Sequence, residues 1–136
     1  MIVEVAINVP IRKSFDYCWP ENVDQIPETG LQVLVPFGRQ KKGGIVVGVN
    51  KNSKLSKLKV IESIIVDKPL FSEEILNLTK WTSEYYFCAW GETLNSAIPG
   101  GLSLRLRTVY TTSSKSLPDQ EKLSELPRAL INKQKS

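Results

Sequence analysis

The first half of the chain alternates between apolar and polar positions, which is the period of a β-strand whose two faces differ. Residues 2–9 place valines and isoleucine on one side, and Pro10 ends that segment. A later segment carries Phe15, Tyr17 and Trp19 on one face, with Asp16 on the other. Five segments are predicted as strands by alternation or by β-branched content: 2–9, 15–19, 31–35, 44–49 and 59–66.

The connection between the third and fourth of these strands is rich in turn residues and cations. Pro36 and Gly38 end one strand, and Gly43-Gly44 opens the next. Arg39, Lys41 and Lys42 lie between them. We therefore expect a tight, exposed and basic loop over residues 36–44, placed where a small β domain presents a binding surface.

The period changes at Ser72, a good N-cap residue that is followed by two acidic residues in the first turn. Apolar residues then recur at helical spacing: Ile75, Leu78, Trp81, Tyr85 and Cys88. The spacing predicts a helix over 72–88, and Gly91 either ends it or begins a shorter helical piece over 92–98. A helical segment of about 72–98 is therefore expected.

The last part of the chain changes in composition. Residues 102–112 alternate again and predict a strand that returns to the sheet, whereas the serine-rich segment from Ser113 resembles a linker. Residues 119–136 are polar, with leucines at helical spacing. We expect a mixed, β-rich α+β fold: a small β-barrel-like domain over 1–112, then a linker and a C-terminal helical tail over 113–136.

Composition narrows the function classes. The 136 residues are 41% hydrophobic and 24% charged, as in an ordinary soluble domain, and the net charge is +4. Without histidine or clustered cysteines, neither a metal site nor a Ser-His or Cys-His nucleophile pair is expected. No phosphate-binding GxxxxGK[ST] motif occurs. We therefore predict no enzymatic activity, no cofactor and no catalytic residues.

Cys18 and Cys88 are widely separated in sequence, which suits two small buried side chains in a reducing cytoplasm. The N-terminal residues do not have the pattern of a secretory signal, and no apolar run has the length of a membrane span. A cytoplasmic location and no membrane partner are expected.

The distribution of charge is the positive functional signal. Between Gly38 and Ile61 the chain has no acidic residue but seven of its 18 cations: Arg39, Lys41, Lys42, Lys51, Lys54, Lys57 and Lys59. Such a patch could hold the phosphates of a nucleic acid, although a solvated lysine-rich hairpin is the commoner cause. Phe15, Tyr17 and Phe37 could stack on bases, and packing in the core is their alternative role.

Asp16 is unusual as a carboxylate among aromatic residues. It could accept a hydrogen bond from a base edge or from a sugar hydroxyl, and such a site would prefer a strand end with a free hydroxyl. From the residues alone, a salt bridge to Arg12 or Lys13 ranks first.

Several motifs occur in a fixed order along residues 1–112. They are Val9-Pro10, Phe15-Asp16-Tyr17, the run VLVPFGR from Val33 to Arg39, the run GIVVG from Gly44 to Gly48, Lys57-Leu58-Lys59, Tyr85-Tyr86, Gly91 and Ala97-Ile98-Pro99. As an ordered set they resemble the N-terminal domain of primosomal protein N′, the PriA replication-restart helicase.

The resemblance implies a small β-rich domain with a helical portion, which binds the 3′ end of a DNA strand at a stalled replication fork. The family's pocket for the terminal nucleotide corresponds here to Phe15, Asp16, Tyr17, Gly38 and Lys59. It implies that Asp16 reads the nucleotide, that the aromatic residues shape the pocket and that Gly38 allows close approach. Arg39, Lys41 and Lys42 are expected to provide the electrostatic approach.

The implied partners are single-stranded or forked DNA with a 3′ end, together with single-stranded-DNA-binding protein and other primosome proteins, in a bacterial or organellar nucleoid. The full family continues into a winged-helix domain, an ATP-dependent helicase and zinc-binding cysteines. The present sequence stops in what resembles the first helix of that winged-helix domain, which suggests a fragment, a truncated frame or half of a split protein. A non-catalytic DNA-binding module is expected; the alternatives are a protein-interaction module and a nonfunctional remnant.

Overall fold

A five-stranded antiparallel sheet and two helices make up the computed structural model, which describes residues 1–52 and 56–99. The strands follow the order β2-β1-β4-β3-β5 in the sheet. In chain order the elements are β1 (Ile2–Ile7), β2 (Phe15–Cys18), β3 (Gln32–Phe37), β4 (Gln40–Asn50), β5 (Ser63–Ile64), α1 (Glu73–Tyr85) and α2 (Trp90–Ala97).

These elements confirm the mixed, β-rich α+β class and the helical segment of about 72–98, and the sheet is not closed. The predicted strand at 102–112, the linker, the C-terminal tail and the boundary at residue 113 lie outside the described residues. Within the described part of the chain, no helix is long and apolar enough to cross a membrane.

The sheet curls strongly, so that its outer strands approach each other. A β-bulge between Glu4 and Val5, where β1 pairs with β4, is one cause, because bulges bend a strand and increase its twist. Residues 59–65 then run from β2 to β3: Cys18 N–H donates to the Lys59 carbonyl at 2.9 Å, and Glu62 N–H donates to the Leu34 carbonyl at 2.9 Å. This segment was predicted as a continuous strand over 59–66, but only Ser63–Ile64 forms a ladder.

The apolar side chains that alternate along the strands fill the inner face of the curled sheet. Val3, Val5 and Ile7 are buried there with Tyr17 and with residues of β3 and β4, as the apolar side of β1 predicts. Ala6 lies on the opposite face, where Phe71, Leu76 and Leu94 cover it. The domain therefore has two cores, one inside the sheet and one between the sheet and the helices.

Gly91 permits a close approach between α2 and the sheet. A Cβ added at this position would lie 1.7 Å from the Ile7 carbonyl oxygen, so no larger residue fits without moving α2. The glycine at the start of α2 is thus explained by packing against β1.

The predicted bounds of the loop, residues 36–44, are wrong, although the connection is tight and exposed. β3 continues through Pro36 to Phe37, β4 begins at Gln40, and only Gly38 and Arg39 form the turn. Gly38 has φ +60° and is the turn's sole residue with positive φ, the pattern of a type II′ hairpin turn. Lys41 and Lys42 are therefore strand residues paired with β3, because ladder pairing across a two-residue turn outweighs the turn tendency of Gly43-Gly44.

Helix α1 uses a different face for packing than its apolar spacing suggests. The side chains buried on α1 are Leu76, Thr79 and Ser83. The apolar stripe that predicted the helix is exposed at Ile75, Leu78, Trp81 and Tyr85. Small side chains face inward because α1 packs closely on α2, where Trp90 Nε1–H donates to Thr79 Oγ1 at 3.1 Å. Cys18 and Cys88 are half-buried free thiols, more exposed than predicted.

Candidate nucleic-acid interface

One end of the curled sheet contains a cavity of about 360 Å³, built from three separate segments. Residues 13–17 of β2 and its approach form one wall, residues 36–38 of the hairpin form the second, and residues 57–59 form the third. All five residues predicted for a nucleotide pocket line this cavity: Phe15, Asp16, Tyr17, Gly38 and Lys59.

Two contacts fix the β2 wall against the hairpin wall. The Tyr17 hydroxyl donates a hydrogen bond to the Pro36 carbonyl at 2.9 Å. The Phe15 and Phe37 rings meet edge to face, with centroids 5.3 Å apart. β1 and β4 separate these strands within the sheet, so both contacts depend on its curl. Core packing is confirmed for Tyr17, which also lines the cavity, whereas stacking of the aromatic residues on bases stays a prediction.

Burial affects the acid–base behaviour of Tyr17. The side chain is only 4% exposed. Because a phenolate is poorly solvated there, burial raises the pKa of Tyr17 above the ordinary tyrosine value. Tyr17 is therefore a neutral hydrogen-bond donor at physiological pH.

The third wall is attached to the sheet by backbone hydrogen bonds. Cys18 N–H donates to the Lys59 carbonyl at 2.9 Å, and Ile61 N–H donates to the Cys18 carbonyl at 3.1 Å. These bonds hold the exposed Lys57 and Lys59 at the cavity. Across from them, the Lys13 ammonium lies 5.3 Å from the centroid of the Phe15 ring. Three cations thus surround an opening that has aromatic walls.

Asp16 lies on β2, an edge strand of the sheet. Strand alternation puts its side chain on the face opposite Tyr17, and its register partner on β1 is Glu4. Ser14 donates a hydrogen bond to the Glu4 carboxylate. Asp16 is therefore the acidic residue in the lining of the cationic opening, and Glu4 is its register neighbour on β1.

Gly38 has open space where a side chain would begin, since an added Cβ would meet no atom within 4 Å. Its positive φ explains the glycine by the turn alone, and the absence of a side chain also leaves the hairpin tip uncovered beside the cavity.

The three remaining predicted residues do not line the cavity. Arg39 is exposed in the turn, and Lys41 and Lys42 lie on β4. Lys41 forms an ion pair with Glu62. Their role in attracting DNA stays a prediction.

Lys13 and Lys57 line the cavity but were not among the predicted site residues. Lys57 belongs to the acid-free basic stretch that the sequence already marked. The sequence named Lys13 as a possible salt-bridge partner of Asp16, and its position two residues before Phe15, at the start of an aromatic strand, was a further usable signal. Among the described residues, no group of histidine, cysteine or acidic side chains could hold a metal ion.

The fold and the cavity define a small α+β domain with a cationic, aromatic-walled pocket at one end of an open sheet, which is a design suited to a nucleic-acid ligand. Comparison with known families makes this specific. Residues 4–99 match the family model of the 3′ DNA-binding domain of PriA, and the chain belongs to that family of DNA-binding domains.

Relatives named replication restart protein PriA share this region. The Haemophilus influenzae protein is 37% identical over 100 residues, which cover 72% of this chain and 13% of the relative. The Bacillus subtilis protein is 31% identical over 107 residues, which cover 75% of this chain and 13% of the relative. The chain thus spans about an eighth of the length of these relatives.

Proposed function

We propose that this domain binds the 3′ end of a DNA strand during replication restart, with the terminal nucleotide in the cavity. The observation that carries the proposal is the meeting of three chain segments around one opening, which joins Phe15, Asp16 and Tyr17 to Gly38 and Lys59. Membership in the family of 3′ DNA-binding domains supports the same ligand.

The cations at the cavity would supply affinity without sequence preference. Lys13, Lys57 and Lys59 are all exposed, so each can neutralise a backbone phosphate and release its counterions. Phe15 and Phe37 are half-buried, which leaves part of each ring available to a sugar or a base. This combination favours a single strand or an unpaired end, whose bases are free to stack.

Asp16 would supply the preference for an end. A free 3′-hydroxyl is a hydrogen-bond donor, and a carboxylate is an acceptor. A 3′-phosphate or a continuing phosphodiester removes that donor and brings negative charge towards Asp16 and its neighbour Glu4. Strands that end in a 3′-hydroxyl would therefore bind more tightly than strands that do not.

We propose binding rather than a reaction as the domain's activity. The cavity lining contains no histidine or cysteine, so it offers neither a Ser-His nor a Cys-His nucleophile pair. Partners other than DNA, including single-stranded-DNA-binding protein and other primosome proteins, stay predictions.

Matched oligonucleotides test this function. Two labelled single strands of one sequence, ending in a 3′-hydroxyl or a 3′-phosphate, are titrated at fixed low salt against the wild type, Asp16→Asn and Asp24→Asn. We expect the wild type to prefer the hydroxyl end by about tenfold, the value of one hydrogen bond to a charged group. Asp16→Asn should lose most of this preference.

Asp24→Asn is the matched control, because Asp24 is an exposed carboxylate in the loop after β2 and does not line the cavity. It should keep the wild-type preference. Thermal unfolding of each variant checks that the fold is intact. Equal affinities of the wild type for the two strands would refute end recognition, and an unchanged preference in Asp16→Asn would refute the role of its carboxylate.

A further inference from the structure

The end of α1 carries a group of exposed aromatic rings that the cavity does not use. Trp81, Tyr85, Tyr86 and Phe87 are 56%, 62%, 68% and 76% exposed. The Trp81 and Tyr85 rings stack with centroids 5.1 Å apart and an angle of 19° between their planes. Tyr86 meets Tyr85 edge to face at 4.9 Å. We refer to these four residues as the aromatic shelf.

The backbone of Phe87 has a conformation that is unfavourable for any residue with a side chain. It has φ 55°, and among the described residues it is the only one besides glycine with positive φ. Cys88 N–H donates to the Ser83 carbonyl at 3.0 Å and Phe87 N–H to the Glu84 carbonyl at 3.4 Å, the hydrogen bonds of a Schellman motif. Glycine usually occupies this position because a side chain is strained there. Stability alone does not explain a phenylalanine whose ring is mostly in solvent.

Arg12 and Lys13 connect the shelf to the cavity. The Arg12 guanidinium lies 5.2 Å from the centroid of the Phe87 ring. The next residue, Lys13, lines the cavity and places its ammonium over Phe15. Of these two consecutive cations, Arg12 thus contacts a ring of the shelf and Lys13 contacts a ring of the pocket. Alternating rings and cations are the arrangement that binds the bases and phosphates of a single strand.

We propose that the aromatic shelf is a second subsite for single-stranded DNA, which stacks bases upstream of the last two nucleotides while Arg12 and Lys13 contact the phosphates between. The proposal rests on the proposed function, because the cavity sets the strand's end. Glu84 is exposed on α1 directly before Tyr85, so phosphates would keep to the Arg12 side. A protein partner would use the apolar side chains of Ile75 and Leu78 and would not need a cation path to the cavity.

Phe87→Gly provides an unusual test, because the fold and the ligand predict opposite effects. Glycine relieves the strained φ, so the midpoint of thermal unfolding should rise. Loss of the ring should weaken binding of a ten-nucleotide strand with a 3′-hydroxyl by about fivefold or more, the lower value for one stacked base. A dinucleotide with the same 3′ end reaches only the cavity, so its affinity should stay within about twofold. Trp81→Ala should repeat this length-dependent loss.

Ile26→Ala is the control, because Ile26 is 69% exposed but belongs to neither subsite. It should bind both strands as the wild type does. If Phe87→Gly and Trp81→Ala bind the ten-nucleotide strand like the wild type, or lose affinity equally for both lengths, the shelf is not a DNA subsite. If the length-dependent loss occurs while 3′-hydroxyl and 3′-phosphate strands bind equally, the aromatic shelf is a DNA subsite but the cavity does not recognise the 3′ end. Phe87→Asn, which also accepts positive φ, serves if the glycine variant folds poorly.

Discussion

Tyr17 connects the stability of the domain to the shape of its cavity. Its ring belongs to the inner core, and its hydroxyl donates to the Pro36 carbonyl of the hairpin. The residue is therefore a positioning residue for the second cavity wall as well as a core residue. Its neighbours Phe15 and Asp16 project from the same short strand, so a shift of Tyr17 would move them too.

We expect Tyr17→Phe to lower the free energy of unfolding by about 1 kcal/mol at neutral pH, because one hydrogen bond is lost. The wild type should also lose its advantage at high pH. Its raised pKa in the fold means that the neutral phenol's contribution is complete below about pH 10, the unfolded value, and falls as the pH rises through the folded pKa.

Urea unfolding of both proteins at several pH values between 7 and 11 measures this difference. Tyr85→Phe is the matched control, since Tyr85 is exposed on α1, and its stability at neutral pH should stay within about 0.5 kcal/mol of the wild type. A constant difference between wild type and Tyr17→Phe across the pH range would contradict the burial argument.

At the level of elements, glycine is required at two positions for different physical reasons. Gly91 is required by close packing of α2 on β1, and Gly38 by the backbone of the hairpin turn. We expect Gly91→Ala to cost about 3 kcal/mol, the upper range for an overpacked side chain, because the Ile7 backbone cannot move aside. Gly38→Ala should cost about 1 kcal/mol, since only the positive φ opposes it.

Urea unfolding of the two alanine variants compares these costs. A larger loss for Gly38→Ala than for Gly91→Ala would show that the turn, and not the helix–sheet contact, is the tighter constraint.

The elements could be predicted from sequence where periodicity and packing agree. Residues 2–7 alternate and form β1, and Ser72 precedes α1 as its cap position requires. The start of β4 could not be predicted, because two consecutive glycines are typical of a turn. Pairing with β3 makes it strand, and that pairing is a contact between segments. The exposure of the apolar stripe on α1 could not be predicted either, because periodicity identifies a helix but not which of its faces a neighbour will cover.

For the whole molecule, attraction to DNA should depend on where cations lie rather than on their number. Lys59 lines the cavity, whereas Lys68 is an exposed lysine outside its lining. We expect Lys59→Gln to reduce the slope of log affinity against log salt by about 0.7, the value for one phosphate contact with a single strand. Lys68→Gln should leave the slope unchanged.

Titrations of a labelled single strand at four salt concentrations give this slope. The same decrease in both variants would mean that the charge acts as a diffuse field, not as contacts at the cavity.

The sequence could identify the cavity residues only through the family resemblance, because the three walls come from distant parts of the chain. Alternation placed Phe15 and Tyr17 on one face, but it could not bring them to Pro36 and Phe37 on β3, which two strands separate from β2 in the sheet. That approach depends on the curl of the sheet. Arg12 was noted as a possible partner of Asp16, and only the structure shows its guanidinium over Phe87.

The most direct measurement of the central claim is NMR mapping of the domain with a dinucleotide that ends in a free 3′-hydroxyl. We predict that the largest amide shifts fall on Asp16, Tyr17, Gly38 and Lys59, around one cavity, and that the same dinucleotide with a 3′-phosphate produces much smaller shifts. Shifts spread over other faces of the domain, or equal shifts with the two dinucleotides, would contradict a pocket for the 3′ end.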